Sequence, residues 1–241
     1  MATSPPPKRR RKNAGAKVTP SLPLLPPVVV FAHGAGAPSS SDWMIRWKEL
    51  LKNAVGAVEV VTFDYPYLCG GKKRAPPKAE KLVEFHKGIV KETSEKYPRH
   101  PLILAGKSMG SRCLPWSVFG FDCCRVSCMV SAEEDIAASA ILCLGYPLKG
   151  SKGAIRDETL VQLKVPIMFV QGSKDGMCPL EKLQAVRKKI KCETELYVVD
   201  GGDHSLKVGK KHLQANGLTQ EESEMNALEA VGSFISSCLK P

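Results

Sequence analysis

Pro101-Leu102-Ile103-Leu104-Ala105-Gly106-Lys107-Ser108-Met109-Gly110 is the stretch on which the reading of this chain turns. Its first half is an unbroken apolar run of strand length, bounded by turn residues. Its second half is Gly-x-Ser-x-Gly. Directly after such a strand, that pattern marks a sharp strand-to-helix turn that lifts a serine hydroxyl clear of a sheet. The glycines allow the backbone to turn there without a Cβ clash. Alone the pattern is weak, because Gly and Ser are common, and Ser108 then reads as an ordinary turn serine. Two further residues give it weight: Asp175 after a later strand-like run, and His204 after the last one.

Outward from this stretch, apolar runs alternate with helical patterns. Pro27–Ala32, Val58–Phe63, Ile136–Leu144, Val165–Val170 and Glu195–Val199 have strand composition, and with Pro101–Ala105 they make six. Helical spacing runs through Trp43, Ile45, Trp47, Leu50 and Leu51, with Ser40 or Ser41 placed to cap the helix. A second helix is expected over Ala79–Tyr97, with Leu82, Phe85, Ile89 and Val90 on its apolar face and Pro98 as its stop. Others are expected over Leu180–Ile190 and about Glu221–Cys238, and Asp64–Lys78 reads as a loop. Strands alternating with helices predict an α/β fold, a mainly parallel sheet covered on both faces. Ligands of such sheets bind beyond the carboxyl ends of the strands. Every polar motif here falls just after a strand, so this topology gathers the motifs at one edge.

The chain has 241 residues, of which 43% are hydrophobic, which suits one domain with a substantial core. No apolar run approaches the roughly 20 residues of a membrane-spanning helix, and no secretory signal is read at the start, so no membrane is expected. The nine cysteines include no CxxC, and no histidine stands at zinc-site spacing from Cys123, Cys124 and Cys128. They are read as reduced thiols of a cytoplasmic or nuclear protein, with no metal and no cofactor. Of the formal +11 charge, six come from Lys8, Arg9, Arg10, Arg11, Lys12 and Lys17, in a Pro-rich stretch without an acid. Residues 1–26 are therefore expected to be a disordered basic tail, either merely solvated or a nuclear-import signal, and 27–241 the folded domain. The rest of the chain lacks the basic-plus-aromatic pattern that stacks bases, which speaks against nucleic acid. Lys72, Lys73 and Arg74 leave two readings open: an exposed basic loop, or a preference for acidic substrates.

A serine hydroxyl is a weak nucleophile at neutral pH. It needs a histidine to take its proton and a carboxylate to fix that histidine's tautomer. Ser108, His204 and Asp175 are the candidates, with Asp203 the weaker rival for the acid. The negative oxygen of a tetrahedral intermediate needs amide donors. The backbone N–H of Met109 is one candidate. Ala35 or Gly36, in the His33-Gly34-Ala35-Gly36 loop after the first strand, supplies the other. A plain Gly-rich turn is the alternative for that loop. His33 is expected to shape it rather than to transfer protons, while His86 and His100 are expected at the surface.

The order Ser108, Asp175, His204 matches that of the α/β-hydrolases, and these residues together resemble that superfamily. More narrowly, His33-Gly-Ala-Gly-Ala-Pro-Ser-Ser, Gly106-Lys-Ser-Met-Gly-Ser-Arg, Leu144-Gly-Tyr-Pro-Leu, Gly172-Ser-Lys-Asp and Gly202-Asp-His-Ser-Leu resemble the group that contains testis-expressed protein thirty and the hydrolase-like region of the third subunit of the NSL histone-acetyltransferase complex. The resemblance runs from Pro27 to the C-terminus. It implies a compact α/β-hydrolase without a large cap domain and no particular substrate. Residues 113–125 depart from that pattern and are expected to be an insertion. The leading expectation is a serine hydrolase of a small-molecule ester, thioester or amide. The alternative is a hydrolase fold kept as a non-catalytic module that binds a protein partner.

Overall fold

Val28–Ala32 is apolar at every position, and all five residues are buried, as befits a strand with sheet neighbours on both sides and helices over both faces. This is β1. It pairs in parallel with β2 (Glu59–Phe63) and with β3 (Leu102–Lys107), so that Val30 lies between Val61 and Leu104. β4 (Ala138–Leu144), β5 (Ile167–Gly172) and β6 (Thr194–Val199) extend the sheet beyond β3, again in parallel. The order across the six strands is β2-β1-β3-β4-β5-β6. The structure, a computed structural model, describes Met1 and residues 25–68, 77–107, 123–150 and 154–240. The expected α/β architecture of six parallel strands flanked by helices is the one found.

Alternation along the strands assigns the helices to faces. Val29 and Phe31 of β1 and Leu142 and Leu144 of β4 pack with Met44, Trp47 and Leu51 of α1 (Asp42–Val55) and with Leu228, Val231 and Phe234 of α7 (Gln220–Cys238). Val28, Val30 and Ala32 point the other way, toward Val83 and Val90 of α2 (Val83–Lys96) and Val126 and Val130 of α3 (Cys123–Ser131). On that second face, Ile141, Cys143 and Phe169 meet Leu160 of α4 (Glu158–Val161) and Leu183 and Val186 of α5 (Leu180–Arg187). A short helix, α6 (Lys210–Asn216), precedes α7. Among the described residues, no helix is long and apolar enough to cross a membrane.

Local details depart from the sequence reading. Ser41 takes the N-cap position of α1, but its hydroxyl makes no capping bond and is buried without a partner. The helix expected over Ala79–Tyr97 begins as a 3-10 turn at Ala79–Leu82 and becomes α-helical only from Val83. Its buried side includes His86, while Phe85 is 37% exposed. The expected surface position of His86 is thus corrected. Its ring lies among Phe63 and Tyr65, and its Nδ1 is 3.0 Å from the Tyr65 hydroxyl. Pairing with aromatics rather than with solvent explains why helical spacing alone misplaced it. α4 and α6 were not expected, because neither is long enough to display a period. α7 opens with a reciprocal capping box, Thr219 with Glu222.

Candidate functional site

The carboxyl ends of β1, β3, β4, β5 and β6 lie along one edge, in the register Ala32–Gly106, Lys107–Leu144, Leu144–Val170 and Gly172–Val199. The segment after β5 brings Asp175 to this edge, and the turn after β6 brings His204. The two segments are stitched together. The Ser173 amide donates to the Val199 carbonyl at 3.0 Å and the Lys174 amide to the Gly202 carbonyl at 2.8 Å. The contact is so close that a Cβ on Gly172 would stand 2.3 Å from the carbonyl oxygens of Gly202 and Asp203. Only glycine fits under that turn.

His204 Nδ1 lies 2.6 Å from Asp175 Oδ2. The Asp175 side chain is fully buried and that of His204 is 13% exposed. A carboxylate oxygen accepts only, so the proton of this bond sits on Nδ1, and the lone pair of the neutral ring lies on Nε2. Asp175 is itself held. Its Oδ1 accepts the Met177 amide at 2.8 Å, and its Oδ2 also accepts from Gln171 Nε2. Gln171 is buried in β5, and its Oε1 accepts the Tyr146 amide at 2.9 Å. Sequence reading missed Gln171. A lone polar residue inside the apolar run Ile167–Gly172 was the available signal, since a buried amide demands partners.

Asp203, the rival acid, serves the turn. Its Oδ1 accepts the amides of Ser205 at 2.8 Å and Lys207 at 3.0 Å. The carbonyl of His204 accepts from the buried Lys107 Nζ at 2.6 Å. Gly145, at φ 73°, passes so near that a Cβ would lie 2.6 Å from that carbonyl oxygen.

The loop after β1 is fixed by its own side chains. The His33 ring is buried, with Nδ1 2.6 Å from the Gly34 carbonyl and Nε2 accepting the Tyr65 amide at 3.1 Å. Burial pushes its pKa below the ordinary histidine value, which suits the neutral tautomer these bonds require. Asp64 Oδ1 accepts the Ser39 amide at 2.6 Å. Ala35 is half-buried and Gly36 exposed in the turn between these anchors. Ala32 pairs with Gly106, so this loop leaves the sheet beside the end of β3. Ser108 and Met109 lie outside the described residues, as do Lys72, Lys73 and Arg74.

The remaining histidines are bound elsewhere. His100 Nδ1 meets the Pro26 carbonyl at 2.7 Å and His212 Nε2 meets Asp200 at 2.8 Å. Cys124 and Cys128 face Cys143 across the α3–β4 contact, where burial pushes the Cys143 thiol up. Cys124 Sγ donates to the Gly106 carbonyl at 3.0 Å, and Ser127 to that of Ala105 at 3.4 Å, so α3 is seated against the end of β3. Of the segment expected to be an insertion, Cys123, Cys124 and Arg125 lie in α3, and the remainder is outside the described residues.

A parallel six-stranded sheet with a buried carboxylate–imidazole pair at its carboxyl edge is the architecture of an α/β hydrolase. The chain belongs to the alpha/beta hydrolase domain family, which matches residues 26–236. Solved structures of the same fold include an α/β serine hydrolase homologue from Coxiella burnetii, 17% identical over 86% of this chain and 85% of that one, with a TM-score of 0.59. An esterase from Pyrococcus furiosus is 15% identical over 89% and 82%, with a TM-score of 0.63. Est1E from Butyrivibrio proteoclasticus, solved with ferulic acid bound, is 17% identical over 85% and 89%, with a TM-score of 0.55. At such identities the likeness is one of fold.

Proposed function

We propose that this chain is a serine hydrolase acting on a small-molecule ester, thioester or amide. In this reading Ser108 is the nucleophile. His204 takes its proton through Nε2 and later returns it to the leaving group, and Asp175 holds the ring and stabilises its charged form. The Ser108 oxygen bonds to the acyl carbon as the leaving group departs. Water, deprotonated by His204, then releases the acid. The amides of Met109 and of Ala35 or Gly36 receive the negative oxygen of each tetrahedral intermediate. The observation that carries the reading is the 2.6 Å contact of His204 Nδ1 with the buried Asp175, itself anchored by Gln171 and Met177. A surface histidine would not call for so fully bonded a buried acid.

Within the family we place the chain beside testis-expressed protein thirty and the hydrolase-like region of the NSL complex subunit, on the motifs quoted above. We read 1–26 as a tail outside the catalytic domain, 27–241 as that domain, 113–125 as inserted, and the protein as cytoplasmic or nuclear. Labelling by a fluorophosphonate probe tests the reaction. We expect wild type to label and Ser108→Ala not to. Folded wild-type protein that never labels would instead favour a non-catalytic module.

A further inference from the structure

Lys107 ends β3 and immediately precedes Ser108 in the chain, and its side chain is fully buried. A buried ammonium is tolerated only where its protons find acceptors. Here it reaches from one strand end to the loop of another. Nζ donates to the His204 carbonyl at 2.6 Å and sits 4.8 Å from the centroid of the Trp43 ring. Trp43 Nε1 donates to the next carbonyl, that of Ser205, at 3.3 Å. Two successive main-chain oxygens of the histidine turn are thus held, one by Lys107 and one by Trp43. Trp43 is in turn stacked on the buried Trp47, with centroids 4.9 Å apart. Gly145 leaves the space, since a Cβ there would lie 3.2 Å from Nζ.

We propose that Lys107 is a positioning residue for the hydrolase reaction, its ammonium fastening the His204 turn to the strand end that leads into Ser108 and so setting the distance between base and nucleophile. This rests on the serine-hydrolase reading above. The groups facing the ammonium are the Cys124 thiol from α3, Asp175 from the segment after β5, Asp203 and the His204 carbonyl from the turn after β6, and the Trp43 ring from α1. Burial outweighs the charges among them and brings its pKa down to about 8. A charge-assisted hydrogen bond is about twice as strong as a neutral one. Loss of the proton therefore slackens the hold on the turn while the sheet stays folded, and a displacement of about 1 Å can cost about a hundredfold in rate.

The test is the rate of fluorophosphonate labelling from about pH 6.5 to about pH 10 in wild type, Ser108→Ala, Lys107→Met and Lys107→Arg, with folding monitored by circular dichroism. Wild type should lose about three- to tenfold in rate as pH rises through about 8. Lys107→Met should be slower by about tenfold at neutral pH and lack the alkaline fall. Lys107→Arg, charged throughout, should also lack it. Labelling of wild type that is absent, or that survives Ser108→Ala, overturns the hydrolase reading and this role with it. Labelling that requires Ser108 yet has the same rate and pH profile in Lys107→Met overturns the positioning role alone. If neither Lys107 variant folds, the wild-type profile decides: a rate level through about pH 8 overturns the role, and a fall there supports it.

Discussion

Asp175 receives three hydrogen bonds, from His204, Gln171 and Met177, and each does a different job. The Met177 amide fixes the turn, Gln171 ties the carboxylate to the segment after β4 through the Tyr146 amide, and His204 takes its orientation from it. Replacing Asp175 by Asn keeps the shape but presents an amide to the ring and favours the wrong tautomer. We expect Asp175→Asn to fold and to label about 10³- to 10⁴-fold more slowly, as followed by labelling kinetics. At this scale the sequence was informative where a polar residue stood in a turn after a strand, as Asp175 and His204 do. It was silent on Lys107, and for Gln171 it offered only a lone polar residue within an apolar run. Nothing in the spacing says that such a residue is turned inward and what it meets there.

Between elements, the site depends on how closely the turn after β6 passes over the end of β5. A Cβ at Gly172 would be 2.3 Å from two carbonyl oxygens, while one at Gly176, beside Asp175, would meet nothing within 4 Å. Gly172→Ala is therefore expected to lower stability by about 1–3 kcal/mol and to slow labelling, because the turn holding His204 must shift off its partner. Gly176→Ala should stay within about 0.5 kcal/mol of wild type, and melting temperatures compare the two. The strands were legible from sequence because each is built on a short run of mostly apolar residues, a property of the residues themselves. The face of α2 was not, since His86 and Thr93 are buried there while Phe85 is half-exposed. Phe63 and Tyr65, remote in sequence, decided that for His86, while the Thr93 hydroxyl turns back onto the Ile89 carbonyl of its own helix.

The whole molecule carries its buried ionisable groups as a pH signature. His86 is buried beside Tyr65, and desolvation holds its pKa down to about 3. The unfolded chain takes up that proton near pH 6.5. As pH falls from about 6.5 toward 3 the unfolded state gains a proton the folded state refuses, so stability falls. His33, also shifted down by burial, acts in the same direction. Between about pH 6.5 and 4 the His86 contribution is about 3 kcal/mol. We expect His86→Leu to lose less melting temperature than wild type over that range, measured by thermal unfolding at a series of pH values; parallel curves would refute it.

What the sequence by itself determined was the α/β class, the six strands and the residue types offered at their ends, because composition and period are local properties of the chain. The pairing of His204 with Asp175 rather than Asp203 was decided only by the tertiary structure, as were the burial of His86 and the reach of Lys107 to the His204 carbonyl. Each depends on which strand ends become neighbours in the order β2-β1-β3-β4-β5-β6. That adjacency is fixed by burying both faces of one sheet at once, and no short stretch of residues encodes it.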